Sequence, residues 1–186
     1  MKNLSLSLAV LGVASLAALA APLASGLKPG ENVTPFHPRH LGGPLAGSTN
    51  CFPCTFQNRP QVQVWINGDS AQNVVGIAKT LGAAMKTHQN KEFKALVVFL
   101  TTPKTASSVR AMVTQAAKNP ELKGVGMALL DSSNEAVQAY KINTSPDVKN
   151  TVFAYKNWQV AQTFVNLKAD GAGVQKLDGV IARIAK

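Results

Sequence analysis

The sequence predicts an α/β domain: a central mixed sheet flanked by helices, preceded by an irregular arm. Three observations carry this. From residue 61 onward, short β-type runs alternate with amphipathic helical stretches, the order that parallel strands with crossover helices produce. Near the C-terminus two strand-like runs, 151–156 and 159–166, are separated only by Asn157 and Trp158, a spacing that requires an antiparallel hairpin. Residues 26–60, by contrast, are rich in Gly, Pro, Asn and Thr without a helical period, and read as extended and turn-rich.

The chain opens with "MKNLSLSLAVLGVASLAALA", one lysine followed by an apolar run of small and branched residues. This is the pattern of a secretory signal peptide over residues 1–20. The small-x-small triplet Ala18-Leu19-Ala20 favours cleavage after Ala20, with Gly26 as the later alternative. A retained membrane anchor is the competing reading, but the run falls short of the ~20 apolar residues a span needs. Nothing downstream reads as a second membrane segment. An exported protein, periplasmic or extracellular, can keep paired cysteines oxidised.

Without the leader about 160 residues remain, enough for one domain with a core of its own. The arm covers 21–60 and the regular core 61–186. The formal net charge of +10 raises the question of nucleic acid. Such a surface needs clustered cations and stacking aromatics, whereas here the lysines are strewn along the chain and only "NKEFK" (90–94) is mildly dense. The charge therefore reads as a solvated basic surface, without a nucleic-acid partner.

Each core element has its own signal. In the arm, "VTPF" (33–36) is a candidate short edge strand. "QVQVWI" (61–66) places Val62, Val64 and Ile66 on one face of a strand, and "NGDS" stops it and caps the next helix through Asp69 or Ser70. Residues 71–88 repeat apolar positions at Val74, Ile77, Ala78, Leu81 and Met85, a helical stripe, with His88 closing the helix where a cation suits the dipole. "ALVVFL" (95–100) is a buried strand. Val109, Met112, Val113 and Ala116 form the stripe of a second helix, "VGMALL" (125–130) is a third strand, and 132–142 is a short helix with a Ser or Asp cap. The last helix, from Gly171 on, turns Val174, Leu177, Ile181 and Ile184 inward. Asp131 and Asp147 read as turn or cap residues, and Trp65 and Trp158 as packing rather than a binding platform.

This element order, with "INTSPDVKNTVFAYKN" (short helix, Ser-Pro, strand, tight turn, strand) and "LKPGENVTPF" at its start, resembles the thioredoxin-like superfamily in its larger redoxin or peroxiredoxin-like form. The resemblance spans about residue 26 to the C-terminus and implies a three-layer sandwich. It also implies that Pro146 matches the family's cis proline, which lines the substrate groove beside the redox site. The family's redox cysteine follows the first central strand. The matching stretch here, "NGDSAQN" (67–73), has none.

The two cysteines lie instead in "CFPC" (51–54), ahead of that strand and separated from Gln61 by "TFQNRP". So short a connection leaves no room for a helix of useful length, and the cations that remain to activate a thiol are Arg59, His37 and His40. Three readings of the pair stay open. A structural disulfide closing so small a ring contributes only about 2 kcal/mol. A zinc or copper site would use His37, His40, Cys51 and Cys54, a donor set suited to tetrahedral metal. A redox dithiol would use Cys51 as the attacking thiolate and Cys54 as the resolving one. No phosphate loop, nucleophile elbow or His-Glu-x-x-His motif occurs.

The combined reading is an exported protein that exchanges thiols and disulfides through Cys51 and Cys54 with protein partners of the cell envelope, without a cofactor. Its alternative is a non-enzymatic envelope binding or scaffold protein in which the pair is a staple. An extended six-residue connection reaches at most about 20 Å, which places the sulfurs at the start of the first core strand, at the opposite pole from Pro146.

Overall fold

The computed structural model describes residues 23–186; the signal peptide expected over residues 1–20 and its expected cleavage point after Ala20 lie outside them. Six strands form one sheet: β1 (Arg39–Gly42), β2 (Gln61–Ile66), β3 (Lys94–Thr101), β4 (Gly126–Asp131), β5 (Asn150–Lys156) and β6 (Gln159–Val165), in the order β1-β4-β3-β2-β5-β6. Strands β2, β3 and β4 are parallel, while β1 runs antiparallel to β4, β5 to β2 and β6 to β5. The helices are α1 (Phe52–Phe56), α2 (Ala71–Thr87), α3 (Ala106–Ala116), α4 (Glu135–Ala139) and α5 (Gly171–Ile184).

Local chemistry sets the ends of these elements. Ser70 Oγ accepts from Asn73 N–H to cap α2, and Asp170 Oδ1 accepts from Gly173 N–H to cap α5, each satisfying one of the donors a helix start leaves free. The short helix α4 is capped by Asn134 rather than by Ser or Asp. Asn157 and Trp158 both take positive φ, 52° and 68°, the conformation that a two-residue hairpin turn between β5 and β6 demands.

The sheet is buried on both faces. On one, Val62, Val64 and Ile66 of β2 meet Ile77 and Leu81 of α2, Val113 of α3, and Leu177 and Ile181 of α5. On the other, Trp65, Leu96 and Phe153 lie under the arm residues Leu27, Val33 and Phe36, with Phe52 of α1 and Val137 and Tyr140 at α4. Together these make the three layers.

Several sequence expectations are corrected here. "VTPF" forms no strand: Pro35 has no N–H to give a ladder, and pairing is limited to the isolated bridge Asn32–Gln159 beside it. The arm's edge strand is β1, which begins at Arg39, three residues after Phe36. Met112 lies outside the α3 stripe at 45% exposure. A helix does form before β2, because it begins inside the CFPC motif rather than after it.

In β2 the polar Gln61 and Gln63 alternate with the apolar residues, yet all six residues of the strand are buried, because the arm covers the second face. The polar groups there are satisfied in a chain. Trp65 Nε1 donates to Gln63 Oε1 (3.1 Å), Gln63 Nε2 to Tyr155 Oη (2.8 Å), Tyr155 Oη–H to Gln61 Oε1 (2.7 Å), and Gln61 Nε2 to Gln57 O (2.9 Å). Burial holds the Tyr155 phenol well above its usual range, so it stays neutral and serves as donor and acceptor at once.

Candidate functional site

Cys51 and Cys54 are joined by a disulfide, with an S–S distance of 1.98 Å and Cα atoms 5.2 Å apart. Cys51 is the N-cap of α1, and its Sγ accepts from Cys54 N–H at 3.1 Å. Pro53 sits in the first turn, where its missing N–H and fixed φ cost nothing. Gln57, at φ 48°, ends the helix after five residues, too few for a macrodipole of weight. The two half-cystines differ in environment. Cys51 is buried, 5% exposed, whereas Cys54 is exposed.

The two arm histidines hold the backbone just ahead of the disulfide. His37 Nδ1–H donates to Thr49 O (3.1 Å) and His40 Nε2–H to Asn50 O (2.9 Å). His40, on β1, is 1% exposed and lies against the Phe52 ring. Burial pushes its imidazole below the usual range, with the bond to Asn50 acting against the shift, so it is neutral at physiological pH. Arg59 Nε lies 3.0 Å from Glu92 Oε2, an ion pair without hydrogen-bond alignment, and Lys94 Nζ stands over the Phe56 ring at 5.4 Å. Thus His40 is uncharged and Arg59 is engaged by a carboxylate, so neither offers the sulfurs a free cation.

The four residues of the metal reading do not assemble into a site. The sulfurs are bonded to each other, one nitrogen of each histidine is engaged by a carbonyl, and among the described residues no group of three or more His, Cys, Asp or Glu is arranged to hold a metal ion.

Phe52, next to Cys51, abuts Leu96 and Gly126, so closely that a Cβ on Gly126 would stand 3.2 Å from its ring. These are residues near the starts of β3 and β4. Pro146 lies at the other pole, in an open depression of about 520 Å³ with Asn67, Gly68, Phe99, Met112 and Lys149. The disulfide and Pro146 therefore occupy opposite ends of the parallel strands. No cis peptide occurs among the described residues, which corrects the expectation for Pro146. It is the second residue of the turn Ser145–Val148, closed by Val148 N–H to Ser145 O (3.0 Å), a position that a trans proline suits.

The stretch 67–73, where a family thiol would stand, is a locked polar web. Asp69 Oδ2 accepts from Asn73 Nδ2 and Asn150 Nδ2, both at 2.6 Å, and Leu167 N–H donates to Asn150 Oδ1 at 2.9 Å. The sequence places Asp69 only as a cap; its distant partner Asn150, 81 residues away, and Leu167, which bonds to Asn150 and Asn73, left no local signal.

Strand order, the two covered faces and the crossover helices together decide the fold. The chain has a thioredoxin-like fold. Solved thioredoxin-like structures superpose on it over most of its length. One described as the thiol:disulfide interchange protein DsbE from Chlorobium tepidum has TM-score 0.62 and 14% identity, covering 86% of this chain and 99% of its own. An uncharacterized conserved protein from Geobacillus kaustophilus has TM-score 0.65 and 9% identity, covering 90% and 88%. The yeast mitochondrial 1-Cys peroxiredoxin has TM-score 0.57 and 11% identity, covering 84% and 75%. At such identities the likeness is one of fold. No protein-family model and no curated protein sequence matches the chain. On this thioredoxin-like fold the Cys-x-x-Cys lies on the arm, at the pole opposite Pro146 and residues 67–73.

Proposed function

We propose that the protein is an exported thiol–disulfide exchange protein that works through the Cys51–Cys54 pair on thiols of envelope or secreted proteins. The observation that carries this reading is the disulfide itself: a Cys-x-x-Cys ring seated at a helix start, with one half-cystine open to solvent. The thioredoxin-like neighbours, one of them described as a thiol:disulfide interchange protein, are consistent with this chemistry. Export fits the leader-like residues 1–20 and the oxidised cysteines, and no helix among the described residues is long and apolar enough to cross a membrane. Cleavage after Ala20 fits better than cleavage after Gly26, because Ser25 Oγ is hydrogen-bonded to Thr151 Oγ1 (2.6 Å) and Gly26 N–H to Lys141 O (2.8 Å).

The second reading, a binding or scaffold protein with a staple, is favoured by one observation: the sulfurs lie away from Pro146 and the depression beside it. Turnover separates the two. Wild-type protein is expected to catalyse reduction of a model protein disulfide by dithiothreitol, and Cys51→Ser and Cys54→Ser each to abolish it. Rates equal to the uncatalysed reaction in all three proteins would leave the staple.

A further inference from the structure

We propose that the order of attack in this Cys-x-x-Cys is reversed: Cys54, the C-terminal cysteine, is the sulfur that bonds to substrate, and Cys51 is the internal leaving and resolving sulfur. The inference rests on the exchange reading and deepens it.

Thiol–disulfide exchange is an in-line displacement, so which sulfur is attacked depends on access and on how well the other sulfur leaves. Access separates the two. Cys54 lies on the outer side of α1 with exposed neighbours Thr55 and Gln57, whereas Cys51 is 5% exposed, between the pinned backbone of Asn50 and the buried Phe52. A thiolate approaching Cys51 in line would have to come from the protein side. The leaving group separates them as well. Cys51 Sγ already accepts Cys54 N–H at 3.1 Å, a bond that strengthens when the acceptor becomes a thiolate.

The step balances as follows. A substrate thiolate attacks Cys54 Sγ; the substrate S–Cys54 bond forms and the Cys54–Cys51 bond breaks. The electron pair of the broken bond passes to Cys51 Sγ, which departs as a thiolate facing Cys54 N–H. If the substrate has a second thiol, its thiolate attacks the substrate sulfur of the mixed disulfide. This closes the substrate disulfide and releases Cys54 as a thiolate, so the substrate dithiol loses two electrons and the protein pair gains them. His37 and His40 act as positioning residues: by holding Thr49 O and Asn50 O they keep Cys51 inward and Cys54 outward.

The test is to treat the oxidised full-length mature protein briefly with reduced glutathione, quench with acid, alkylate with N-ethylmaleimide and locate both adducts by fragmentation mass spectrometry. Glutathione is expected on Cys54 and maleimide on Cys51, by at least ten to one. In the single variants, Cys54 of C51S should react with a neutral aromatic disulfide at least tenfold faster than Cys51 of C54S, and the gap should close in denaturant. Glutathione on Cys51, or a rate gap that persists in denaturant, would overturn the reversed order alone. No adduct on either sulfur would overturn the exchange reading and this inference with it.

Discussion

The two ends of the parallel strands are built from different materials. At the C-terminal pole, where a thioredoxin-like fold ordinarily places its thiol, the chain has Asp69, Asn73 and Asn150 in a closed set of short hydrogen bonds. At the N-terminal pole it has a disulfide with one buried and one exposed half-cystine, carried by the arm that covers the sheet's second face. The first arrangement stabilises and has no nucleophile. The second contributes little stability, since a four-residue ring is worth only about 2 kcal/mol, yet it contains the chain's only two cysteines. The scaffold is thioredoxin-like, and the two cysteines lie on the arm, away from residues 67–73.

Substitutions at each pole test that separation. The largest effect is expected from Phe52→Ala, which empties a fully buried site beneath the disulfide and should destabilise by about 3–5 kcal/mol. It should also open Cys51 to reagents; denaturant melts with thiol labelling read both. At the other pole, Asn150→Ala strips Asp69 and the Leu167 backbone of partners and is expected to cost about 2–3 kcal/mol. It should leave the exchange rate of the folded protein unchanged, and a lost rate in folded protein would move the working site to that pole.

Smaller effects follow. Replacing both cysteines by serine should lower stability by about 2 kcal/mol. His40 gives a pH dependence: its folded pKa is depressed by burial, so the unfolded chain binds the proton more readily. Its contribution is fully present above the unfolded value near 6.5 and is lost as pH falls through that value toward the folded pKa. Melts from pH 7.5 to pH 5 should show this decline in the wild type and a flatter profile in His40→Gln. Smallest of all, Pro146→Ala should change stability by no more than about 1 kcal/mol, and activity not at all.

Much of the scaffold could be read from the sequence, because its signals are local. The stripe of α2, the capping Ser70 and the Asn157-Trp158 turn each lie within a few residues of the element they define. What escaped depends on distant contacts. The burial of Gln61 and Gln63 had no local signal, because nothing nearby says that the arm returns to cover them; the one local hint is that Trp65 shares their face. The turn at Pro146 is trans because Ser145–Val148 closes around it, and α1 begins at Cys51 because the cysteine itself caps it. At the candidate site the two cysteines and the distance from Pro146 were legible, but the unequal burial of the two half-cystines was not, because it depends on tertiary contacts such as Phe52 packing against the sheet.

The central claim, that the arm disulfide is chemically active rather than a staple, is tested most directly by its reduction potential. Wild-type protein equilibrated in glutathione or dithiothreitol buffers of graded poise, with the thiol fraction read after acid quench and alkylation, is expected to titrate between about −120 and −270 mV, the span of exchange catalysts. A midpoint below about −300 mV, in the range of structural disulfides, would contradict the account.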